Sequence, residues 1–167
     1  FALDLLTAIL GGGMSSRLFV EVRERRAMAY DIHTYTNRLV DTGSLVTYAA
    51  VDPKNVREVV SEVLRQLCRL RDEAVSEAEL EKVKDYSKGR LLLGLEDTQG
   101  VSGWCGAQLQ LQGVIMQPED MCAAIDRVQA RDIQRVAQAC FRDEYLRLAA
   151  LGPAEGARGL DNSLSLR

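Results

Sequence analysis

The apolar pattern of this chain changes period twice, and those changes fix most of what it can become. Up to Leu10 the residues Leu3, Leu5, Leu6, Ile9 and Leu10 recur at helical spacing. From Tyr30 the period is two: Tyr30, Ile32, Thr34 and Thr36 face one way, and Asp31, His33 and Tyr35 the other. Asp41-Thr42-Gly43 supplies turn chemistry, after which Leu45, Thr47, Ala49 and Val51 alternate with Val46, Tyr48 and Ala50. This pattern predicts an antiparallel hairpin over 30–38 and 44–51. Asp52-Pro53 then opens a helix, because the aspartate can cap while proline's missing N–H falls where no partner exists. Helix, hairpin and further helices in this order fit an α+β fold, an antiparallel sheet covered by several helices, rather than a parallel βαβ array.

The helix after Pro53 carries the stripe Val56, Val59, Val60, Val63, Leu64, Leu67 and Leu70, so it must lay one face on a sheet or another helix. A second start stands at Ser76, with Glu79 completing a capping box, and that helix runs to about Glu96. Over 98–117 Gly100, Gly103 and Gly106 would share one helical face. The pattern there favours a buried helix over a loop. Pro118 opens a short helix to about Arg127. Another begins near Ala130, with Ile133, Val136, Ala137, Cys140 and Phe141 inward and Gln129 as a weak cap. Tyr145 to Leu151 reads as a final strand. One α+β domain over 1–152 and a flexible Gly/Ala/Asn/Ser-rich tail over 153–167 complete the division. The first helix opens at Phe1 with no capping residue before it, which implies that the numbered chain starts inside its domain and that the first strands of the fold precede it.

Between the first helix and the hairpin lies GGGMSSRLFVEVRERRAMAY, residues 11 to 30. Three consecutive glycines are tolerated where φ is positive or where another segment passes close to the main chain. Spacing alone equally allows a plain connecting loop. The helix that follows takes Ser15 or Ser16 as N-cap and turns Leu18, Val22 and Met14 to one face, with Arg17, Glu21, Glu24 and Arg25 elsewhere.

Composition excludes several classes. With 21 basic and 24 acidic residues and a formal net charge of −3, the chain has no nucleic-acid footprint, and Arg23, Arg25 and Arg26 form a local patch only. No apolar run approaches the roughly 18 residues that span a bilayer, and no signal pattern opens the chain, so it reads as soluble. The cysteines Cys68, Cys105, Cys122 and Cys140 stand 37, 17 and 18 residues apart, without a Cys-x-x-Cys pair. They read as small buried hydrophobes of a reducing compartment such as the cytoplasm. His33 is the one histidine and has no second ligand type at useful spacing, so a structural or surface role outweighs a metal role. The glycines lack the Gly-Lys-Ser/Thr ending of a phosphate cradle, no nucleophile and carboxylate accompany His33, and Glu73, Glu77, Glu79 and Glu81 read as a solvated helix face.

Residue identity adds what spacing cannot. SSRLFVEVRERRAMAY resembles Ser-Ser-Arg-Leu-Phe-x-x-(Leu/Val)-Arg-Glu-x-x-Gly-Leu-Ala-Tyr in the C-terminal, non-zinc half of insulinase-like zinc metalloproteases, of the pitrilysin and mitochondrial processing peptidase type. The chain departs at Ala27 and Met28, where the family has Gly-Leu, and at Gln129, where the family has a capping threonine. The likeness extends more loosely over residues 1 to 152. It implies that Arg23 and Tyr30 are substrate-binding residues that reach across to hold the peptide backbone near the metal.

The family's zinc motif, His-x-x-Glu-His, is absent. The resemblance therefore implies no catalytic residue and no metal ligand in this chain, with zinc expected in a homologous zinc-bearing domain or subunit and an extended peptide as the other partner. The expected function is the substrate-holding half of a zinc-dependent metalloendopeptidase acting on unfolded polypeptides, inactive alone. The alternatives are a catalytically silent scaffold subunit of the same fold and an unrelated α+β interaction module. On spacing alone Arg23 reads as the partner of Glu21 or Glu24, and Tyr30 as packed at a sheet edge.

Overall fold

In the computed structural model, which describes residues 1–153, 159–160 and 164–166, a hairpin is surrounded by six α-helices. The order is α1 (Ala2–Gly11), a π-helix (Phe19–Arg25), β1 (Ala29–Arg38), β2 (Gly43–Val51), a 3₁₀ turn (Pro53–Asn55), α2 (Val56–Asp72), α3 (Glu77–Leu93), α4 (Thr98–Gln112), α5 (Pro118–Asp126), α6 (Ala130–Cys140) and a second 3₁₀ turn (Asp143–Tyr145). The fold is α+β, and β1 and β2 pair antiparallel as the alternation predicts.

The core centres on α1. Its Leu5, Leu6 and Leu10 are completely buried, and the helix touches β1, α3 and α6. It is therefore the central helix and lies on the sheet. The valine and leucine stripe of α2, which needs a sheet or another helix to cover it, packs mainly along α6 and meets the hairpin at β2. Val59, Leu64, Leu67 and Leu70 of the stripe are buried, while Val56, Val60 and Val63 are half-buried. Leu18 and Val22 join the core as expected; Met14, at 79% exposure, does not, because helical structure begins only at Arg17.

The glycine run serves close approach. A Cβ at Gly11 would lie 2.7 Å from the Thr34 backbone nitrogen, and one at Gly13 would lie 2.8 Å from the Tyr86 hydroxyl. None of the three has positive φ. Tyr86 donates to the Gly12 carbonyl at 2.7 Å, which ties the loop to α3. Ser16 does not act as the expected acceptor: its hydroxyl donates back to Gly13 O at 2.5 Å.

Caps follow the sequence with two changes. Asp52 accepts from Lys54 N–H at 3.0 Å and Ser76 from Glu79 N–H at 3.2 Å. The Glu79 carboxylate does not close the capping box, because Arg17 takes it with two hydrogen bonds of 2.8 and 2.6 Å. At α6 the backbone N–H of Gln129 is satisfied by Asp132 at 3.0 Å, so the weak cap is supported from inside the helix.

Three expectations are corrected. Residues 98–112 are helical, but α4 is largely exposed: only Gln108 is buried, and a Cβ at Gly103 or Gly106 would have nothing within 4 Å. Cys140 is exposed rather than inward. The segment from Tyr145 to Leu151 forms no strand, since the one sheet among the described residues contains β1 and β2 only and offers it no backbone partner. Within the stretch expected as a tail, Leu160 and Leu166 are buried, and Asp143 accepts from Leu166 N–H at 2.6 Å. The remainder of 154–167 lies outside the described residues.

Candidate functional site

Three backbone irregularities fall within twelve residues. Phe19–Arg25 is wound as a π-helix, a wider turn that is rare and recurs at functional sites. Its exit is closed by Met28 N–H donating to Val22 O at 2.9 Å. Ala27 then has φ of 49°, the left-handed region that costs an L-residue about 1–2 kcal/mol. Finally the hairpin register slips between Ala29 and Asp31, which pair with Val51 and Ala50, so Tyr30 is the extra residue of a β-bulge.

The bulge moves Tyr30 off the buried face that simple alternation assigns to it. Its side chain is 85% exposed, while Ala29, Ile32 and Thr34 stay buried. Arg23 is exposed too, its guanidinium lying over the Phe19 ring at 4.9 Å from the centroid. Glu21 is engaged by Arg25 at 2.5 Å, and among the described residues no carboxylate pairs with Arg23. Arg23 and Tyr30 line one open concavity of about 650 Å³ together with Ala27, Asp52, Lys54 and Asn55. Both side chains thus face one surface, with a permanently charged planar donor and a phenolic donor free to engage an acceptor.

The surrounding framework is anchored. Arg17 reaches α3 through Glu79, and Arg26 reaches Glu62 of α2 at 3.4 Å. Glu62 is buried in mid-helix and accepts from Arg65 at 2.9 and 2.6 Å and from Gln66 at 2.7 Å. Burial pushes its carboxyl up, but the hydrogen bonds from Arg65 and Gln66 and the charges of Arg65 and Arg26 outweigh this and hold it below the usual glutamate range. Asn55 donates to Met28 O at 3.5 Å, a long contact across the mouth of the Arg23–Tyr30 turn. Asp52 is also held below the usual range, first by Lys54 N–H and then by the Lys54 ammonium, so the concavity's rim carries both signs of charge. The sequence reading passed over Glu62 and Gln66; their signal was two polar residues at i and i+4 within an apolar stripe.

His33 contacts Asp31 at 3.2 Å and stacks near Tyr35 and Tyr48 on the exposed face of the hairpin. Among the described residues no three His, Cys, Asp or Glu side chains converge as metal ligands, and the four cysteines are free thiols on four different helices. Among the described residues no helix is long and apolar enough to cross a membrane.

The α+β architecture is shared with a solved peptidase M16 inactive domain from Pseudomonas fluorescens, which superposes with a TM-score of 0.73 at 19% identity, covering 83% of this chain and 33% of that one. The chain belongs to the peptidase M16 family through its inactive domain, whose family model matches residues 1–86. It is 35% identical over 138 residues to an uncharacterized zinc protease of Streptomyces coelicolor, covering 83% of this chain and 30% of that protein. It is 32% identical over 142 residues to the mitochondrial-processing peptidase subunit alpha of Rattus norvegicus, covering 85% and 27%. A protease from Helicobacter pylori superposes with a TM-score of 0.72 at 26% identity, covering 83% of this chain and 33% of that one. The chain thus spans about a third of the length of these relatives.

Proposed function

We propose that this chain is the substrate-holding, non-zinc half of a zinc-dependent metalloendopeptidase that cleaves unfolded polypeptides. The zinc chemistry belongs to a homologous zinc-bearing domain or subunit. Arg23 and Tyr30 hold a peptide carbonyl of the extended substrate and stabilise the negative charge that grows on it during hydrolysis. The observation that carries this reading is the run of π-helix, left-handed Ala27 and bulged Tyr30, which leaves both side chains exposed on one concavity. Such departures from regular structure cost free energy and cluster where a site needs them. Scaffolding alone requires neither an arginine without a carboxylate partner nor an exposed tyrosine. The relatives described as zinc proteases add support, and four free thiols favour a reducing compartment.

The test is kinetic, in a complex with the zinc-bearing half. Tyr30→Phe removes one hydroxyl and Arg23→Ala one charged donor. Each should lower turnover by roughly tenfold to a thousandfold, the range for a lost charge-stabilising donor. The melting temperature should hardly change, since exposed substitutions shift stability by about half a kcal/mol. Unchanged turnover in both variants, with weaker assembly, would instead support a silent scaffold.

A further inference from the structure

Glu62 is a buried carboxylate in the middle of α2, 3% exposed, and the proposed hydrolysis makes no use of it. Its Oε1 accepts from Arg65 Nη2 and Gln66 Nε2, and its Oε2 from Arg65 Nε, with Arg26 Nη2 beside that oxygen at 3.4 Å. Gln66 is completely buried, and turning its Nε2 to Glu62 leaves its Oε1 without a hydrogen-bond partner among the described residues. A network built at that cost is a weak source of stability, since well-packed apolar side chains of similar volume often do as well or better. What it supplies is a fixed direction. The carboxylate cannot turn, so the guanidinium that comes to it from another element is held in place.

That guanidinium belongs to Arg26, the residue that ends the π-helix and stands directly before the left-handed Ala27. Arg23 lies on one side of Arg26 and Tyr30 on the other, so this side chain tethers the turn between the two donors. Strained backbone persists only where its surroundings over-determine it. Here the turn has its own bond, from Met28 N–H to Val22 O at 2.9 Å, and the tether from Arg26 to α2. We propose that Glu62, acting through Arg26, is a positioning residue that holds this turn in the conformation presenting Arg23 and Tyr30 to one peptide carbonyl, an inference that rests on those two residues holding the substrate. A donor misplaced by about 1 Å can cost roughly a hundredfold in rate, so a loosened tether is visible in turnover.

The experiment uses the complex with the zinc-bearing half. Arg26 is 45% exposed, so Arg26→Ala leaves no closed cavity. It should lower turnover roughly tenfold with the Michaelis constant within about threefold, because the donors it aims act on the transition state. Arg26→Lys should recover most of the loss, since the tether is a single contact that an ammonium can make. Arg26→Ala should change turnover by less than about twofold in two backgrounds: Glu62→Gln, where the tether has lost its charged partner, and Arg23→Ala with Tyr30→Phe, where no donor remains to be aimed. Hydrogen exchange in the same complex reads the turn directly. In Arg26→Ala the Met28 amide should exchange roughly tenfold faster while α1 amides keep their protection. An unchanged Met28 amide, or an undiminished Arg26→Ala effect in either background, would overturn the assignment and leave Arg23 and Tyr30 as the substrate-holding pair. Unchanged turnover in Arg23→Ala and Tyr30→Phe would instead remove that pair, and with it any part for Glu62 in the reaction.

Discussion

Ala27 stands at φ 49°, where the resembling family carries glycine, and a methyl group there costs about 1–2 kcal/mol against the following carbonyl. Glycine removes that cost but adds freedom to the unfolded chain worth about 0.4–1 kcal/mol, so the gain is partial. Ala27→Gly should stabilise the domain by up to about 1 kcal/mol in urea titration; a loss of stability would mean that the left-handed turn is not populated. Glu62 makes the opposite case, a residue whose charge the core depends on. A carboxyl held below its ordinary value, 4.5 for glutamate, stabilises the fold at higher pH and loses that contribution as pH falls through the lowered value. Glu62→Gln should therefore cost about 1–3 kcal/mol at neutral pH, because Arg65 and Arg26 lose their buried acceptor. The deficit should shrink as wild type is titrated from about pH 5 to pH 3, and a deficit independent of pH would show that the carboxylate's charge is not what matters.

At the scale of elements, α2 separates what a stripe can tell from what it cannot. A run of seven apolar residues correctly predicts an amphipathic helix, and Asp52-Pro53 correctly predicts where it opens. Which part of a wide stripe is deepest depends on neighbours supplied by distant chain: Val59 is buried in the core, while Val60 and Val63 line an open cavity of about 790 Å³ that Leu45 and Ala49 of β2 also line. Sequence reasoning expects Val60→Asp or Val63→Asp to unfold the domain. The structure redistributes that expectation. In residues 1–167 Val59→Asp should abolish cooperative unfolding, because an unpaired charge in a core costs several kcal/mol against a total of about 5–15. Val60→Asp should leave a folded domain with a lowered melting temperature, since Val60 is only half-buried and its carboxylate can reach solvent through that open cavity. Equal loss in both variants would place Val60 in the closed core.

For the molecule as a whole, what was legible from sequence was local and what was missed was long-range. The hairpin, the proline-led helix starts and the Ser76 cap rest on contacts a few residues apart, and their residue types announce them. The bulge at Tyr30 and the π-helix before it leave the alternating and helical patterns outwardly intact, so only residue identity, through the family resemblance, singled out Arg23 and Tyr30. The expected strand at 145–151 has the composition of a strand but, among the described residues, no neighbour to pair with. The glycines at 103 and 106 announce a close packing that no described residue supplies. Local regularity therefore does not measure local stability, and α4 gives the sharpest test. It is properly capped, with Asp97 accepting from Gly100 N–H at 2.7 Å and Gly113 left-handed at its end, yet only Gln108 is buried. Helices in water owe most of their stability to a packed face, and α4 also carries three glycines, each costing about 1 kcal/mol relative to alanine. By contrast α1 has three completely buried leucines and helices or strand on several sides. In native-state hydrogen exchange on residues 1–167, amides of α4 should exchange at least roughly a hundredfold faster than those of α1, opening without global unfolding. Equal protection of the two helices would mean that α4 is packed in solution against a surface it lacks here, most simply a second copy of the chain, and dilution should then restore the difference.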